Sequence, residues 1–298
     1  MNTSVSHIRA IFFAFTGFTL WVLSDTSMKM AGEANLPPYE TLAFLGFFGV
    51  IFLLIRAAVT GTIRRLMTSK PRKQIGRALL SLIINLCNII ALKHIPLTMF
   101  YVTVFTAPII ISLLAVPLLH ERLNRLRVIA VICGFVGVVI AINPLGKGNH
   151  GDWLGYGAAL TGVFFFSLCT LWVRLMAQNE TPDSLAFFSC LVEMIGGGIF
   201  MLIHTNPLTF NILIILIIMS LFCVMGNLFN YLALKHTTAA TVSQFHYTQI
   251  IVGAIIGYYL WDEIPTFHLL IGTLLIIGSG LIVILNKPAT NIGPTNPL

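Results

Sequence analysis

Residues 85–94 read NLCNIIALKH, and residues 227–236 read NLFNYLALKH. The two stretches lie 142 positions apart, and the match continues without a gap to Glu121 and Glu263. Over these 37 aligned positions, 11 residues are identical. Apolar composition alone can pair leucines and isoleucines, but it does not align asparagine, lysine, histidine and glutamate. The chain is therefore predicted to contain an internal duplication.

The sequence around the repeat is strongly apolar. Of 298 residues, 57% are hydrophobic and 9% are charged, whereas a soluble domain is roughly a quarter charged. A helix needs about 20 apolar residues to cross a bilayer, and charged or Pro/Gly/Asn-rich breaks divide the chain into ten such segments. The predicted spans are residues 9–28, 38–59, 75–93, 98–118, 126–142, 153–176, 183–204, 211–234, 239–260 and 266–285. The composition therefore predicts an all-α membrane protein with ten transmembrane helices.

The lysines and arginines are sorted to one side of the predicted spans. With the N-terminus in the cytoplasm, 14 of the 17 lie on the inner side, and only Lys29, Lys93 and Lys147 lie on the outer side. Positive residues concentrate in cytoplasmic loops, so both termini are predicted to be cytoplasmic. The net charge of +7 follows from this sorting and does not indicate nucleic-acid binding. The basic cluster at 56–77 is interpreted as a solvated loop, with anionic lipid headgroups as a secondary partner.

Ten spans divide evenly between the two copies of the repeat. The first five-helix repeat covers residues 1–147, the second covers residues 148–287, and residues 288–298 form a polar tail that is predicted to be disordered. Because five is odd, the two halves enter the membrane in opposite directions. An inverted-topology repeat of this kind is typical of secondary transporters, whose substrate site lies near the membrane midplane between the halves.

Both copies share a pattern that resembles a known group of proteins. In each copy, A-L-K-H is followed by small and polar residues that open the next span, and then by a final glutamate. A glycine-containing span such as CGFVGVVIAINP (133–144) comes next. This pattern, over about residues 9–287, resembles the drug/metabolite transporter superfamily. The resemblance implies a ten-helix inverted-repeat carrier for a small metabolite in a bacterial inner membrane.

Two shorter stretches resemble one branch of that superfamily. SDTSMKMAG (24–32) and QFHYTQ (244–249) are similar to the branch that includes S-adenosylmethionine uptake carriers. This finer resemblance implies that the stretch around Tyr247 and Gln249 borders the cavity. Many relatives carry an arginine near the start of the second span, where this chain has Gly46.

Two carboxylates lie inside predicted spans, where an ionisable side chain costs about 3 kcal/mol and so needs a reason. Asp25 is interpreted either as an ion-pair partner of Lys29 on the same helix face, or as a carboxylate that meets a cationic substrate or a proton. Trp21 shares this face. Glu193 is interpreted either as a neutral group hydrogen-bonded to a neighbouring helix, or as a proton-coupling or substrate-binding carboxylate.

The ninth predicted span carries a run of polar residues around His246. His246 and Gln249 share one helical face, whereas Tyr247 lies on the other. The histidine is interpreted either as a satisfied core group or as a proton carrier. Tyr101 and Thr106 are the counterparts of this run in the fourth span. The candidate residues for substrate binding or coupling are Asp25, Glu193, Tyr247, Gln249, Trp21, Tyr101, Thr106 and His246.

Four asparagines recur with the repeat. Asn85 and Asn88 in the first copy correspond to Asn227 and Asn230 in the second, and each pair is spaced three residues apart on one helical face. Such residues suit helix packing as well as ligand binding, and the sequence leaves both interpretations open.

Motifs of common enzymes and metal sites are missing from the sequence. It contains no HExxH, GxSxG, CxxC or Walker A pattern, so no catalytic residue, cofactor or metal is expected. The leading hypothesis is a secondary transporter for a small organic metabolite, coupled to exchange or to protons. The substrate classes considered are amino acids, nucleotide-derived compounds and S-adenosylmethionine-like cations. The alternatives are a polytopic membrane enzyme acting on lipid or lipid-linked substrates, and a membrane sensor or scaffold.

Overall fold

The computed structural model describes most of the chain as helix. The described residues are 3–68, 70–107, 109–111, 113–114, 125–142, 152–176, 179–203, 205–236, 242, 246–264 and 266–285. Within these ranges there are ten α-helices, one 3₁₀ turn at Ile63–Leu66 and no β-strand. The helices are α1 (Thr3–Glu33), α2 (Pro38–Val59), α3 (Pro71–His94), α4 (Leu97–Val104), α5 (Arg125–Ile142), α6 (Trp153–Met176), α7 (Pro182–Met201), α8 (Phe210–His236), α9 (His246–Trp261) and α10 (Phe267–Leu285). Helical residues also occur at 107, 109–111, 113–114 and 242.

The helices begin where local chemistry favours a start. Pro38, Pro71 and Pro182 each lie in the first turn of a helix, where a missing backbone N–H costs nothing. At the start of α7, the side chain of Thr181 accepts a hydrogen bond from the backbone N–H of Ser184 over 3.1 Å, as a helix N-cap does. These starts explain why the breaks found in the sequence fall close to the observed helix ends.

The lengths of the helices suit a membrane protein. In the described part of the chain, six helices are long and apolar enough to cross a bilayer, namely α1, α2, α3, α6, α7 and α8. Four further apolar helices are shorter. Each of the ten predicted spans overlaps one of the ten helices, and α1 extends beyond the predicted span 9–28 at both ends. Parts of the predicted spans 98–118 and 239–260 lie outside the described residues.

The helices pack in pairs that follow a regular rule. The most extensive contacts are those of α1 with α8, α5 with α10, α2 with α7 and α3 with α6, and α4 packs on α9. If each helix in these five pairs is replaced by the helix five places away in chain order, the same five pairs result. The pair α1·α8 becomes α6·α3, and the other three pairs map onto themselves.

Glycines allow two of these related pairs to approach closely. A Cβ on Gly17 of α1 would lie 3.1 Å from the backbone nitrogen of Asn230 in α8. A Cβ on Gly162 of α6 would lie 3.1 Å from Oδ1 of Asn88 in α3. Asn88 and Asn230 are equivalent positions of the repeat, so each copy has a glycine of another helix close to the same asparagine.

Gly46 lies at the contact between α2 and α7. A Cβ at this position would collide with the backbone of Met194 and Cys190. The arginine that many relatives carry near this place therefore has no room at position 46 unless α7 moves. On the opposite side of the same contact, a Cβ on Gly197 would lie 2.5 Å from the backbone nitrogen of Ala43.

The predicted solvated loop at 56–77 is wrong at both ends, because Arg56 lies in α2 and residues 71–77 lie in α3. Arg77 lies inside α3, and its side chain is 0% exposed. The basic composition of the stretch indicated a loop, but contacts with residues of α7 and α8 bury the side chain of Arg77. Arg72, by contrast, lies in the same helix and is exposed.

Candidate functional site

A cavity lies among six of the helices, and its empty space of about 890 Å³ includes space that is open to solvent. Its described lining comes from α1, α3 and α4 in the first half of the chain and from α6, α8 and α9 in the second half. Each helix of the first trio has a counterpart in the second trio that comes five helices later in the chain.

Asp25 is the one acidic residue in the described lining of this cavity. Its side chain, 8% exposed, accepts a hydrogen bond at Oδ2 from the hydroxyl group of Tyr101 over 3.0 Å. Both residues line the cavity, so the structure brings together two of the predicted site residues. Among the described side chains, no lysine, arginine or histidine lies within ion-pair distance of Asp25.

Lys29 is not the partner of Asp25, contrary to one of the two predicted interpretations. Its Nζ lies 2.8 Å from Oε1 of Glu263, in the segment that follows α9. Oε1 of Glu263 also accepts a hydrogen bond from the backbone N–H of Leu97 over 2.8 Å, and Oε2 accepts one from the hydroxyl of Thr98 over 2.6 Å. We call these contacts the Lys29–Glu263 clamp, and they tie α1 and the end of α9 to the start of α4.

The electrostatics of the clamp favour the ionised carboxylate. Burial raises the pKa of the Glu263 carboxyl group, but the hydrogen bonds from Lys29 and Thr98 outweigh burial and hold the pKa below its usual value. The carboxylate also lies at the N-terminus of α4, where backbone N–H groups favour a negative charge. The clamp therefore joins three helices by contacts that depend on charge.

Trp21 and the four repeated asparagines also line the cavity. Nε1 of Trp21 donates a hydrogen bond to Oδ1 of Asn227 over 3.2 Å. Asn85, Asn88 and Asn230 complete the set. The sequence left these asparagines undecided between packing and binding, and their recurrence at an offset of 142 was the signal that could have selected them.

His246 and Gln249 share one face of α9, as predicted. Nδ1 of His246 lies 2.7 Å from Oε1 of Gln249, and both residues are buried and line the cavity. The ring of His246 lies between those of Phe18 and Phe166, at centroid distances of 4.3 and 5.2 Å. Tyr247 belongs to α9, but its side chain lies outside the described residues.

Glu193 and Thr106 are absent from the described lining of the cavity. Oε1 of Glu193 accepts hydrogen bonds from the hydroxyl group of Ser81 over 3.0 Å and from Nδ2 of Asn85 over 2.7 Å. Both donors line the cavity, so Glu193 lies directly behind its wall. Thr106 lies just after α4, and its hydroxyl group donates to the backbone carbonyl of Thr103 near the end of that helix.

Arg77 is a buried charge that the sequence analysis did not select. Its guanidinium donates to the backbone carbonyl of Leu185 over 2.6 Å, to Oγ of Ser189 over 2.9 Å and to the hydroxyl group of Tyr231 over 3.3 Å. Tyr231 lines the cavity. Arg77 and Glu193 are therefore opposite charges that each stand one residue behind the wall.

The cavity is equipped for binding and not for metal chemistry in its described part. It offers a carboxylate, several amides and an imidazole among aromatic walls formed by Trp21, Phe100 and Phe166. No group of three or more His, Cys, Asp or Glu side chains that could hold a metal ion occurs among the described residues. Such an arrangement can bind a small molecule that carries a positive charge and polar groups.

The sequence matches a family of transporters over nearly its whole length. The EamA-like transporter family matches residues 8–143 and 153–285. The S-adenosylmethionine uptake transporter of Rickettsia bellii is 26% identical over 271 residues, covering 89% of each chain. The pseudopaline exporter CntI of Pseudomonas aeruginosa is 22% identical and covers 87% of this chain and 90% of its own. The riboflavin transporter of Rhizobium johnstonii is 23% identical and covers 94% and 92%, respectively.

A solved crystal structure shares the fold. It superposes with a TM-score of 0.68 at 18% sequence identity and covers 93% of this chain and 96% of its own. The relatives are named as transporters of small metabolites, which confirms the prediction of a membrane transporter and the expectation that the chain is not an enzyme. The chain belongs to the EamA-like transporter family, within the drug/metabolite transporter superfamily.

Proposed function

We propose that this protein is a secondary active transporter that moves a small organic metabolite across the bacterial inner membrane by alternating access. The observation that carries the proposal is the cavity of about 890 Å³ with the carboxylate of Asp25 buried in its wall. A buried carboxylate without a described cationic partner is costly in a membrane protein. A cationic substrate or a proton would offset that cost.

The proposed mechanism rests on two halves of opposite orientation, residues 1–147 and 148–287. Three features support this division: the sequence repeat at an offset of 142, the helix pairs that persist when helices five apart are exchanged, and the match of the family to two successive stretches. If the halves exchange conformations, a cavity open to one side becomes a cavity open to the other. The excess of positive residues on one side supports cytoplasmic termini.

The proposed substrate is a cationic metabolite with an aromatic or otherwise apolar part. Asp25 supplies the negative charge, and Trp21, Phe100 and Phe166 supply aromatic surface on which a cation or a flat group can rest. Four relatives from Rickettsia carry the name S-adenosylmethionine uptake transporter. S-adenosylmethionine, whose sulfonium and amino groups are positive, is therefore the first compound to test.

Coupling is proposed to run through either protons or a counter-substrate. Glu193 is the proposed proton group, because it is buried and its hydrogen-bond donors Ser81 and Asn85 belong to the cavity wall. A change in its charge would therefore be felt at the cavity surface. Under the exchange alternative, Glu193 keeps one charge state and a second metabolite returns through the same cavity.

Transport by purified protein in proteoliposomes tests the proposal. Labelled S-adenosylmethionine and a panel of amino acids and nucleosides are offered outside, with either a pH gradient or unlabelled compound inside. We expect saturable uptake of a cationic compound that depends on one of the two gradients and is lost in Asp25→Asn. Flux that no gradient and no internal compound alters would contradict secondary transport, and empty liposomes give the background.

A further inference from the structure

Two polar atoms in the cavity wall have no hydrogen-bond partner among the described residues. They are Nε2 of His246 and Nδ2 of Asn230. Both residues line the cavity, and they are 2% and 4% exposed. Buried polar groups are nearly always hydrogen-bonded, and an orphaned group costs free energy. Two unpaired polar atoms in one wall indicate that a bound molecule supplies their hydrogen-bond partners.

The hydrogen-bonding sense of each atom follows from its neighbours. Nε2 of Gln249 lies 3.5 Å from the backbone carbonyl of Phe18, which orients the amide so that its Oε1 faces His246. Oε1 can only accept, so Nδ1 of His246 carries the proton in this contact. Nε2 of the neutral imidazole is then a free acceptor, whereas Nδ2 of Asn230 is a free donor.

His246 and Asn230 contact adjacent residues of α1. The imidazole ring of His246 packs against the ring of Phe18, and the backbone of Asn230 packs against Gly17. The remaining ring in contact with His246 is that of Phe166. Among its described contacts, His246 meets two aromatic rings and the uncharged amide of Gln249, and this combination favours a flat, uncharged group.

We infer that His246 and Asn230 form a neutral subsite of the cavity, which binds an uncharged planar group that offers one donor and one acceptor. A primary carboxamide and the edge of an amino-substituted heterocycle have this pattern. In the bound state, an N–H of the substrate donates to Nε2 of His246, and a substrate oxygen or ring nitrogen accepts from Nδ2 of Asn230. This inference deepens the proposed function and rests on it. Asp25 recognises the positive charge of the substrate, and the neutral subsite recognises the uncharged planar group of the same substrate.

Matched pairs of cations test the neutral subsite. S-adenosylmethionine is compared with S-methylmethionine, which keeps the sulfonium and the amino acid but lacks the amino-heterocycle. In the same way, 1-methylnicotinamide is compared with N-methylpyridinium, which lacks the carboxamide. The affinity of each probe for purified full-length protein in detergent is measured by ligand-dependent thermal stabilisation, for wild type and for His246→Phe and Asn230→Leu.

We expect wild type to prefer the first member of at least one pair. In each variant the ratio of the two affinities within that pair should fall by about fivefold, the effect of losing one neutral hydrogen bond. The unfolding temperature without ligand shows whether each variant is folded, and either folded variant alone is sufficient for the test. Thr273→Val is the matched control, because the hydroxyl of Thr273 is another buried atom without a described partner but lies away from the described lining of the cavity.

The outcomes separate this inference from the proposed function. A preference in wild type that both folded variants retain overturns the neutral subsite, as does the absence of binding by all four probes. Transport of a cation without any preference within the pairs would leave the proposed function standing and remove the subsite. A preference that the variants abolish, in a protein that transports none of the probes, would support the subsite and contradict the proposed transport of these compounds.

Discussion

The hydroxyl group of Tyr101 donates a hydrogen bond to Oδ2 of Asp25 over 3.0 Å, and both side chains are buried in the wall of the cavity. Tyr101 lies on α4 and Asp25 on α1, so the bond joins two helices of the first half of the chain. The tyrosine satisfies one oxygen of the carboxylate and fixes its orientation. It supplies no positive charge, so the carboxylate keeps its full attraction for a cation.

This relationship predicts different effects for two substitutions at the cavity. Asp25→Asn removes the charge and should weaken binding of a cationic metabolite by about 10- to 100-fold, because hydrogen bonds to charged groups contribute roughly 1.5–3 kcal/mol. Tyr101→Phe removes only the orienting bond and should weaken the same compound by about fivefold. Competition against the transported substrate in proteoliposomes measures both effects.

A neutral compound and a distant aspartate provide the comparisons for this prediction. Binding of a neutral metabolite should change little in Asp25→Asn, and equal losses for neutral and cationic compounds would remove Asp25 from charge recognition. Asp262→Asn is the control substitution. Asp262 is exposed and has a positive φ of 52°, which asparagine also tolerates.

The site residues that could be predicted from the sequence are polar or ionisable residues inside apolar membrane spans. Asp25 and His246 were selected because polar groups are rare inside apolar spans, and both line the cavity. The ten helices followed from the lengths of the apolar segments. These features are local, so a single stretch of sequence contains the information needed to find them.

Features that depend on long-range packing could not be predicted. Lys29 has a carboxylate four residues away, yet it pairs with Glu263, which is 234 residues away. The basic residues around Arg77 indicated a loop, but contacts with α7 and α8 bury its side chain. Glu193 lies behind the wall because α3 comes between it and the cavity. In each case the deciding neighbour belongs to a helix whose position the sequence pattern does not specify.

Substitution of Glu193 distinguishes a structural role from a coupling role. Glu193→Gln retains an oxygen that can accept from Ser81 and Asn85, so we expect a folded protein with normal thermal stability. If Glu193 carries the coupling proton, transport by this variant should lose its dependence on the pH gradient. Glu193→Leu should be less stable by about 1–3 kcal/mol, because both donors lose their acceptor.

The pH profile decides between the two roles. Transport is measured in proteoliposomes at several external pH values, and unfolding is followed by intrinsic fluorescence in detergent. Glu193→Gln protein that transports with the pH dependence of wild type would show that the carboxyl group is structural only. A variant that exchanges substrate without a gradient, but no longer accumulates it, would support proton coupling.

Loss of the buried guanidinium of Arg77 should destabilise the protein strongly. Arg77→Met leaves the carbonyl of Leu185 and the hydroxyl groups of Ser189 and Tyr231 without their donor. We expect a loss of about 3–5 kcal/mol, typical of breaking a buried polar network. Arg77→Lys should not restore stability, since an ammonium group cannot reproduce the planar fork of donors.

Thermal unfolding in detergent measures the effect of the Arg77 variants. Arg72→Met is the control, because Arg72 lies in the same helix and is exposed, and its effect should stay within about 0.5 kcal/mol. A protein with Arg77→Met that unfolds at the wild-type temperature would show that the network contributes no stability.

The Lys29–Glu263 clamp should make stability depend on pH in a defined direction. The pKa of Glu263 is held below its usual value of 4.5, so the folded protein binds its proton more weakly than the unfolded chain does. The stabilisation is therefore fully present above that value and is lost as the pH falls through the lower pKa of the folded state. At neutral pH, Glu263→Gln should cost about 1.5–3 kcal/mol, because a charged group that accepts four hydrogen bonds is replaced by a neutral one.

The difference between wild type and Glu263→Gln is the quantity that tests the clamp. Thermal unfolding in detergent is compared at neutral pH and at acidic values below 4.5, where the wild-type carboxylate becomes protonated and the two proteins should converge. Glu33→Gln is the control, because Glu33 is an exposed acid at the end of α1, and its difference from wild type should be small at every pH. A stability difference for Glu263→Gln that stays constant down to acidic pH would contradict a contribution from the ionised carboxylate, since a loss of shape or packing alone does not titrate.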